Sequence, residues 1–291
     1  PRPARDPAEA RARFAALRGL DDATLFPVQY SALFAPPART SLAVVLLHGF
    51  TNGPAQFVEL AAELFARGHA VVVPRLPGHG SSDRSGRSLA GIGATEWLAT
   101  TREATDIACG LAERVVVAGV SLGGSLAAWT AAARSDVARG VAIVPFLGVI
   151  NLGATGNTLL ERALGALPDA EVPWDPFGDQ ALIPPYAYPG FPSRGLGQSL
   201  RLGRRLLSAA ARAAPAAPDI VLVTNSHEPA IDNRMVDSLV ARWNRRRRGS
   251  AWDFRFDDLP ANHDIIDPLN PLQRHATVYP KLIEFFEDAR T

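Results

Sequence analysis

The chain has 291 residues, 47% of them hydrophobic, with a formal net charge of +1. That is enough apolar residue for a large core, which excludes a disordered chain, and too little net charge to steer nucleic acid or an anionic membrane. One cysteine, Cys109, excludes an internal disulfide and a multi-cysteine metal site. No apolar run reaches the 18 or so residues that span a bilayer, so no transmembrane segment is expected. The chain starts at Pro1 rather than Met. It is expected to be soluble, either cytoplasmic or secreted after removal of a leader, with its oligomeric state left open.

In chain order, short apolar runs are predicted as strands over 42–47 (LAVVLL), 70–74 (AVVVP), 114–119 (RVVVAG) and 140–144 (GVAIV). Each is continuous rather than alternating, the pattern of strands covered on both faces, and implies a parallel sheet. Helices are predicted between them over 54–67, 95–112 and 122–133. After 218 the alternation resumes: strand 220–224, helix 233–246, strand 251–257 and a last helix over 279–289. The four arginines at 245–248 close a helix, where cations complement the dipole. The α/β class follows, with a mostly parallel sheet and helices on both faces.

Residues 147–217 differ in composition. Prolines alternate with Trp174, Phe177, Tyr186, Tyr188 and Phe191, and helices are predicted at 158–167 and 200–213. This reads as an inserted cap over the carboxyl edge of a core made of 1–146 and 218–291, or as a packing subdomain without substrate contact.

Gly119-Val120-Ser121-Leu122-Gly123 is G-x-S-x-G after a strand and before a helix, the setting of a nucleophile elbow. The turn is tight, so small residues are needed two before and two after the serine. The bland alternative is Ser121 as a helix N-cap. His48-Gly49-Phe50-Thr51 follows the first core strand, so the N–H groups of Phe50 and Leu122 are the candidate oxyanion donors. His48 and His79 read as structural, and His69 and His275 as surface or packing residues. His263, after the last strand, is the candidate general base. The acid should follow strand 220–224, where Glu228 is favoured and Asp232, at a helix start, is the alternative. No acid follows the strand ending at Val144. No metal or organic cofactor is required.

The segments HGF (48–50), LPGHG (76–80), GVSLG (119–123) and NHDIIDP (262–268) resemble the α/β-hydrolase superfamily. Within it they are similar to the monoacylglycerol-lipase and carboxylesterase group, which includes serine-aminopeptidase-like sequences. The resemblance covers roughly 41–146 and 218–291. It implies the α/β-hydrolase fold with an inserted cap and serine hydrolysis of carboxylic esters with apolar acyl or aryl groups, hence a small-molecule ester as partner and no nucleic acid. In that group the acid loop resembles N-D-x-A-V. Here His227-Glu228-Pro229-Ala230-Ile231 stands in its place, Glu for Asp. Two alternatives stay open. One is amide or peptide hydrolysis by the same residues, with Glu161, Asp169, Glu171, Asp175 or Asp179 receiving a substrate amine. The other is a non-catalytic protein binding a small apolar ligand. Ser rather than Asp at the elbow disfavours dehalogenase chemistry.

Overall fold

The computed structural model describes residues 1–174 and 183–288. Asp175, Pro176, Phe177 and Asp179 of the proline- and aromatic-rich stretch lie outside the described residues.

The chain opens with α1 (Pro7–Arg18), which the sequence reading left unassigned. Asp6 caps it by accepting the Glu9 N–H at 2.8 Å, and Pro7 occupies the first turn, where its missing donor costs nothing. Then come β1 (Ala32–Phe34), β2 (Thr40–Leu47), α2 (Val58–Ala66), β3 (Ala70–Val73), α3 (Ala94–Leu111), β4 (Ala112–Val120), α4 (Leu122–Ala133) and β5 (Arg139–Ile143). Between β5 and the next strand of the sheet the chain carries α5 (Gly153–Ala166), β6 (Glu171–Pro173), β7 (Gly190–Pro192) and α6 (Ser193–Arg212). The chain then returns through β8 (Asp219–Asn225), α7 (Asn233–Arg246), β9 (Ala251–Phe256) and α8 (His275–Glu287).

Among the described residues, seven strands form one sheet in the order β1-β3-β2-β4-β5-β8-β9. All neighbours are parallel except β1, which runs antiparallel to β3. Alternate side chains of each strand face opposite layers. Ala43, Val45 and Leu47 of β2 join Trp97 of α3, Leu126 of α4, Leu206 of α6 and Trp243 of α7. Leu42, Val44 and Leu46 face Leu60 of α2 and Phe286 of α8. Both faces are therefore dry, which is why the strand sequences do not alternate. Burying each such Val or Leu contributes about 2 kcal/mol before the entropy of ordering is set against it.

Differences from the sequence reading are local. The helix expected over 54–67 is a 3-10 turn, Pro54–Phe57, followed by α2. α5 and α6 begin before 158 and 200, and in α6 the glycines serve close packing. A Cβ at Gly195 would come within 2.9 Å of the Phe50 ring, and one at Gly203 within 2.8 Å of the Leu147 carbonyl. β6 and β7 pair antiparallel as a separate two-stranded unit.

The functional consequence lies at the carboxyl edge of the sheet. β2 and β4 are neighbours in register, with Leu47 opposite Gly119, so the loops after them emerge side by side. β3 lies on one flank of this pair and β5 on the other, the arrangement in which open α/β sheets form a binding crevice. The loops after β8 and β9 open onto the same edge.

Candidate active site

Ser121 stands between β4 and α4 with φ 55° and ψ −114°. A non-glycine residue at positive φ is strained, and the surroundings impose it. The Ser121 N–H donates to the Ile143 carbonyl at 2.9 Å, while its own carbonyl accepts the N–H groups of Phe146 and Ser125, each at 3.0 Å. The flanking glycines are sterically required. A Cβ on Gly123 would lie 1.9 Å from the Leu47 carbonyl oxygen, and one on Gly119 2.4 Å from the Gly123 backbone.

The Ser121 hydroxyl meets the imidazole of His263, with Oγ to Nε2 at 2.8 Å. On the far side of the ring, Nδ1 lies 2.9 Å from Glu228 Oε1. Glu228 is buried, and its Oε1 also accepts the Ala230 N–H at 2.9 Å. Asp232 sits elsewhere: it caps α7, accepting the Arg234 N–H at 3.1 Å and pairing with the Arg234 guanidinium at 2.9 Å. Of the two acids the sequence offered, Glu228 is the one on the histidine. Burial alone would lower His263, but the charge and hydrogen bond of Glu228, with a smaller contribution from Asp264, hold it above the ordinary imidazole value.

The backbone N–H groups of Phe50 and Leu122 have no acceptor among the described residues. The Gly49 carbonyl, in the same peptide plane as the Phe50 N–H, is fixed by His48 Nδ1 at 2.9 Å and the Asn52 N–H at 3.3 Å. Because the peptide is planar and trans, this fixes the direction of the Phe50 N–H as well. His48 Nε2 accepts the Leu76 N–H at 3.0 Å, which sets the tautomer and makes Nδ1 the donor. Burial drives His48 well below its ordinary value and His79 down to about 4, so both are neutral structural groups. His69 contacts Glu287 at 2.9 Å, and His275 stacks on Tyr279.

A cavity of about 370 Å³ opens over Ser121. Its lining includes the apolar Val120, Ile183, Pro184, Ala187, Pro229 and Leu272 and the polar Asn52, Gln56 and Asp264. Trp174, also in the wall, donates from Nε1 to Thr51 Oγ1 at 2.5 Å. Residues 183–192 are stitched to the sheet edge: the Tyr188 N–H donates to the Thr51 carbonyl at 2.9 Å and the Tyr186 hydroxyl to Asp267 Oδ1 at 2.7 Å. The sequence gives Asn52 and Gln56 no sign of a role, and it shows Asp264 and Asp267 only as part of the NHDIIDP segment. The pair Asp264 and Asp267, three residues apart beside His263, was the available signal. Among the described residues, no group of three or more His, Cys, Asp and Glu is arranged to hold a metal ion, and no helix is long and apolar enough to cross a membrane.

The model of the alpha/beta hydrolase family matches residues 44–277. The chain belongs to that family. This alpha/beta hydrolase is 29% identical over 129 residues to a thermostable monoacylglycerol lipase of a Bacillus sp., a match covering 43% of this chain and 49% of the relative. The chain thus matches about half the length of that curated relative. Among solved structures, it is similar to a metagenome-derived lipolytic enzyme with 19% identity and a TM-score of 0.69, covering 90% of this chain and 98% of the other. It is also similar to a soluble variant of the monoglyceride lipase of Saccharomyces cerevisiae, with 14% identity and a TM-score of 0.68, covering 90% and 92%. At these identities the likeness establishes the shared α/β-hydrolase fold, and the chemistry of this member has to be argued from its own side chains.

Proposed function

We propose that this alpha/beta hydrolase is a serine hydrolase that cleaves carboxylic esters through an acyl-enzyme. The observation that carries the reading is the bridge made by His263, 2.8 Å from Ser121 Oγ on one side and 2.9 Å from Glu228 Oε1 on the other. In the first step Ser121 Oγ attacks the ester carbonyl carbon while its proton passes to His263 Nε2. Glu228 holds the ring orientation and stabilises the imidazolium. The N–H groups of Phe50 and Leu122 receive the developing oxyanion, a contribution of a few kcal/mol, roughly 3, per donor in comparable sites. Collapse expels the alcohol oxygen, which takes the proton from His263. Water then gives a proton to His263 and attacks the acyl carbon, and collapse releases the acid and restores the Ser121 hydroxyl.

Residues 147–217 act as the cap over a core of 1–146 and 218–291. The apolar residues lining the cavity suit an apolar acyl or aryl group, and the names of the similar proteins, monoacylglycerol and monoglyceride lipases, support an ester substrate. Of the cap acids weighed for an amine-selecting peptidase, Glu161, Asp169 and Glu171 do not line the cavity over Ser121, and the first two are engaged elsewhere, while Asp175 and Asp179 lie outside the described residues. Glu161 is paired with Arg201 and Arg204, and Asp169 is engaged by Ser193 and Arg194. The test is hydrolysis of p-nitrophenyl esters from acetyl to palmitoyl, beside an aminoacyl p-nitroanilide, by the native chain and by Ser121→Ala. Ester turnover lost in Ser121→Ala is the expected result. Cleavage of the anilide alone would replace the ester reading with an amidase, and binding without turnover would replace it with a ligand-binding role.

A further inference from the structure

Two acidic side chains next to the base are unused by the reaction just described. Asp264 follows His263 directly, lines the cavity and lies beside Asp267, which is fully buried. Burial, reinforced by the neighbouring charge of Asp267, pushes the Asp264 carboxyl up to about 6. Placing two carboxylates together with one buried opposes folding, and replacing buried charges by apolar residues of similar size is often neutral or stabilising. Their partners suggest what the arrangement gives in return.

Asp264 Oδ2 accepts from Gln56 Nε2 at 2.8 Å, and the other end of the same amide, Gln56 Oε1, accepts the Gly49 N–H, also at 2.8 Å. Asn52 Nδ2 donates to Asp267 Oδ2 at 2.8 Å and to Asp264 Oδ2 at 3.4 Å. Asp264 Oδ1 is held by its own turn, through the N–H groups of Asp267 at 3.1 Å and Ile266 at 3.3 Å. Gln56 is 2% exposed. The Gly49 peptide passes between this amide and the nucleophile: a Cβ on Gly49 would lie 3.6 Å from Gln56 Oε1 and 3.7 Å from Ser121 Cβ. The amide therefore joins two loops 208 residues apart in sequence, one carrying the Phe50 N–H and the other carrying His263.

We propose that Gln56 and Asp264 are positioning residues that tie the Phe50 loop to the His263 loop, so that oxyanion donor and base keep one fixed separation. This rests on the reading of Phe50 as an oxyanion donor and His263 as the base. The tie needs an acceptor facing Gly49 and a donor facing Asp264, which an amide supplies and a carboxylate supplies only while protonated.

Gln56→Glu tests that requirement. The titratable group bonded to Gln56 is Asp264, and the titratable groups that interact with Asp264 in turn are Asp267, His263, Tyr186 and Tyr279. The two aspartates favour the protonated form of the introduced carboxyl, so the tie survives in acid and opens when that carboxyl ionises. The kcat of Gln56→Glu on p-nitrophenyl acetate, divided by that of the native chain, is expected near unity at pH 6 and to fall about tenfold or more by pH 9, with KM little changed. Hydrogen-exchange protection of residues 48–53, measured without substrate, should fall over the same pH range in the variant and not in the native chain. A kcat ratio constant with pH, or protection that does not change, overturns the tie. A native chain that turns over no ester overturns the proposed function instead, and the exchange measurement alone then decides the tie. If Gln56→Glu does not fold, a cycle of Gln56→Ala, Asp264→Asn and their double variant replaces it. Coupling of about fivefold or more in kcat supports the tie, and independent effects overturn it.

Discussion

The two halves of the site are built by opposite means. The Ser121 half is made of short-range backbone geometry: a strand, a strained residue and glycines whose neighbours leave no room for a Cβ. The His263 half is made of side-chain hydrogen bonds between residues far apart in sequence, Glu228 to His263 and Gln56 to Asp264 among them. The first half should be intolerant of added volume and indifferent to pH. The second should tolerate isosteric change in its fold while its chemistry follows the protonation of a few groups.

The largest expected effect separates chemistry from folding within the second half. Glu228→Gln keeps the shape but loses the charge and the tautomer control, and kcat/KM should drop by about 10³- to 10⁴-fold with little loss of melting temperature. A drop of less than tenfold would mean that Glu228 does not set the state of the histidine.

The next effect belongs to the first half. Gly123→Ala places a Cβ 1.9 Å from the Leu47 carbonyl oxygen, a backbone atom that cannot swing aside. Urea unfolding should show a loss of about 3 kcal/mol, the upper part of the usual range for overpacking, unless the variant fails to fold outright. Stability equal to that of the native chain would show that the elbow relaxes, and would break the contrast.

The pH dependence comes third. In the proposed reaction His263 has to be neutral to accept the Ser121 proton, and its value is raised in the folded chain by the nearby carboxylates. Activity should therefore rise with pH through a midpoint above 6.5, and that midpoint should move to lower pH in Glu228→Gln. The linkage sign for stability is the reverse of that for activity. The raised value favours the fold below the unfolded histidine value, and this contribution is lost as pH rises through the folded one. A midpoint below 6.5 in the native chain would contradict the assignment.

The smallest effect concerns stability around Asp264. Its folded value of about 6, against 3.8, means that the fold disfavours its charged form. The contribution is present below the unfolded value and lost as pH rises through the folded one. Measured by thermal or urea unfolding, Asp264→Asn should gain stability relative to the native chain as pH rises from 4 to 7. A difference between the two chains that does not change with pH would remove the strain attributed to the carboxylate pair.

The same contrast explains what could be read in the sequence. That Ser121, Phe50 and Leu122 would meet at one edge of the sheet could be read because each follows a continuous apolar strand at a glycine turn, a local signal. That His263 would meet a carboxylate from the loop after β8 could be read from the order along the chain, whereas which of Glu228 and Asp232 makes the contact could not, since both follow the same strand and Asp232 caps α7 instead. Gln56 and Asn52 carried no local sign, because their carboxylate partners lie more than 200 residues away. α6 was read too short because glycine counts against a helix unless the packing it permits is known. β1, at three residues, was too short for any period to show.

The most direct test of the central claim is covalent. The native chain and Ser121→Ala are incubated with a fluorophosphonate, digested and weighed by mass spectrometry. A single adduct on the peptide containing Ser121 in the native chain, absent in Ser121→Ala, is the outcome expected if His263 activates that hydroxyl. No adduct on the native chain, or one that persists after Ser121→Ala, would contradict Ser121 as the nucleophile.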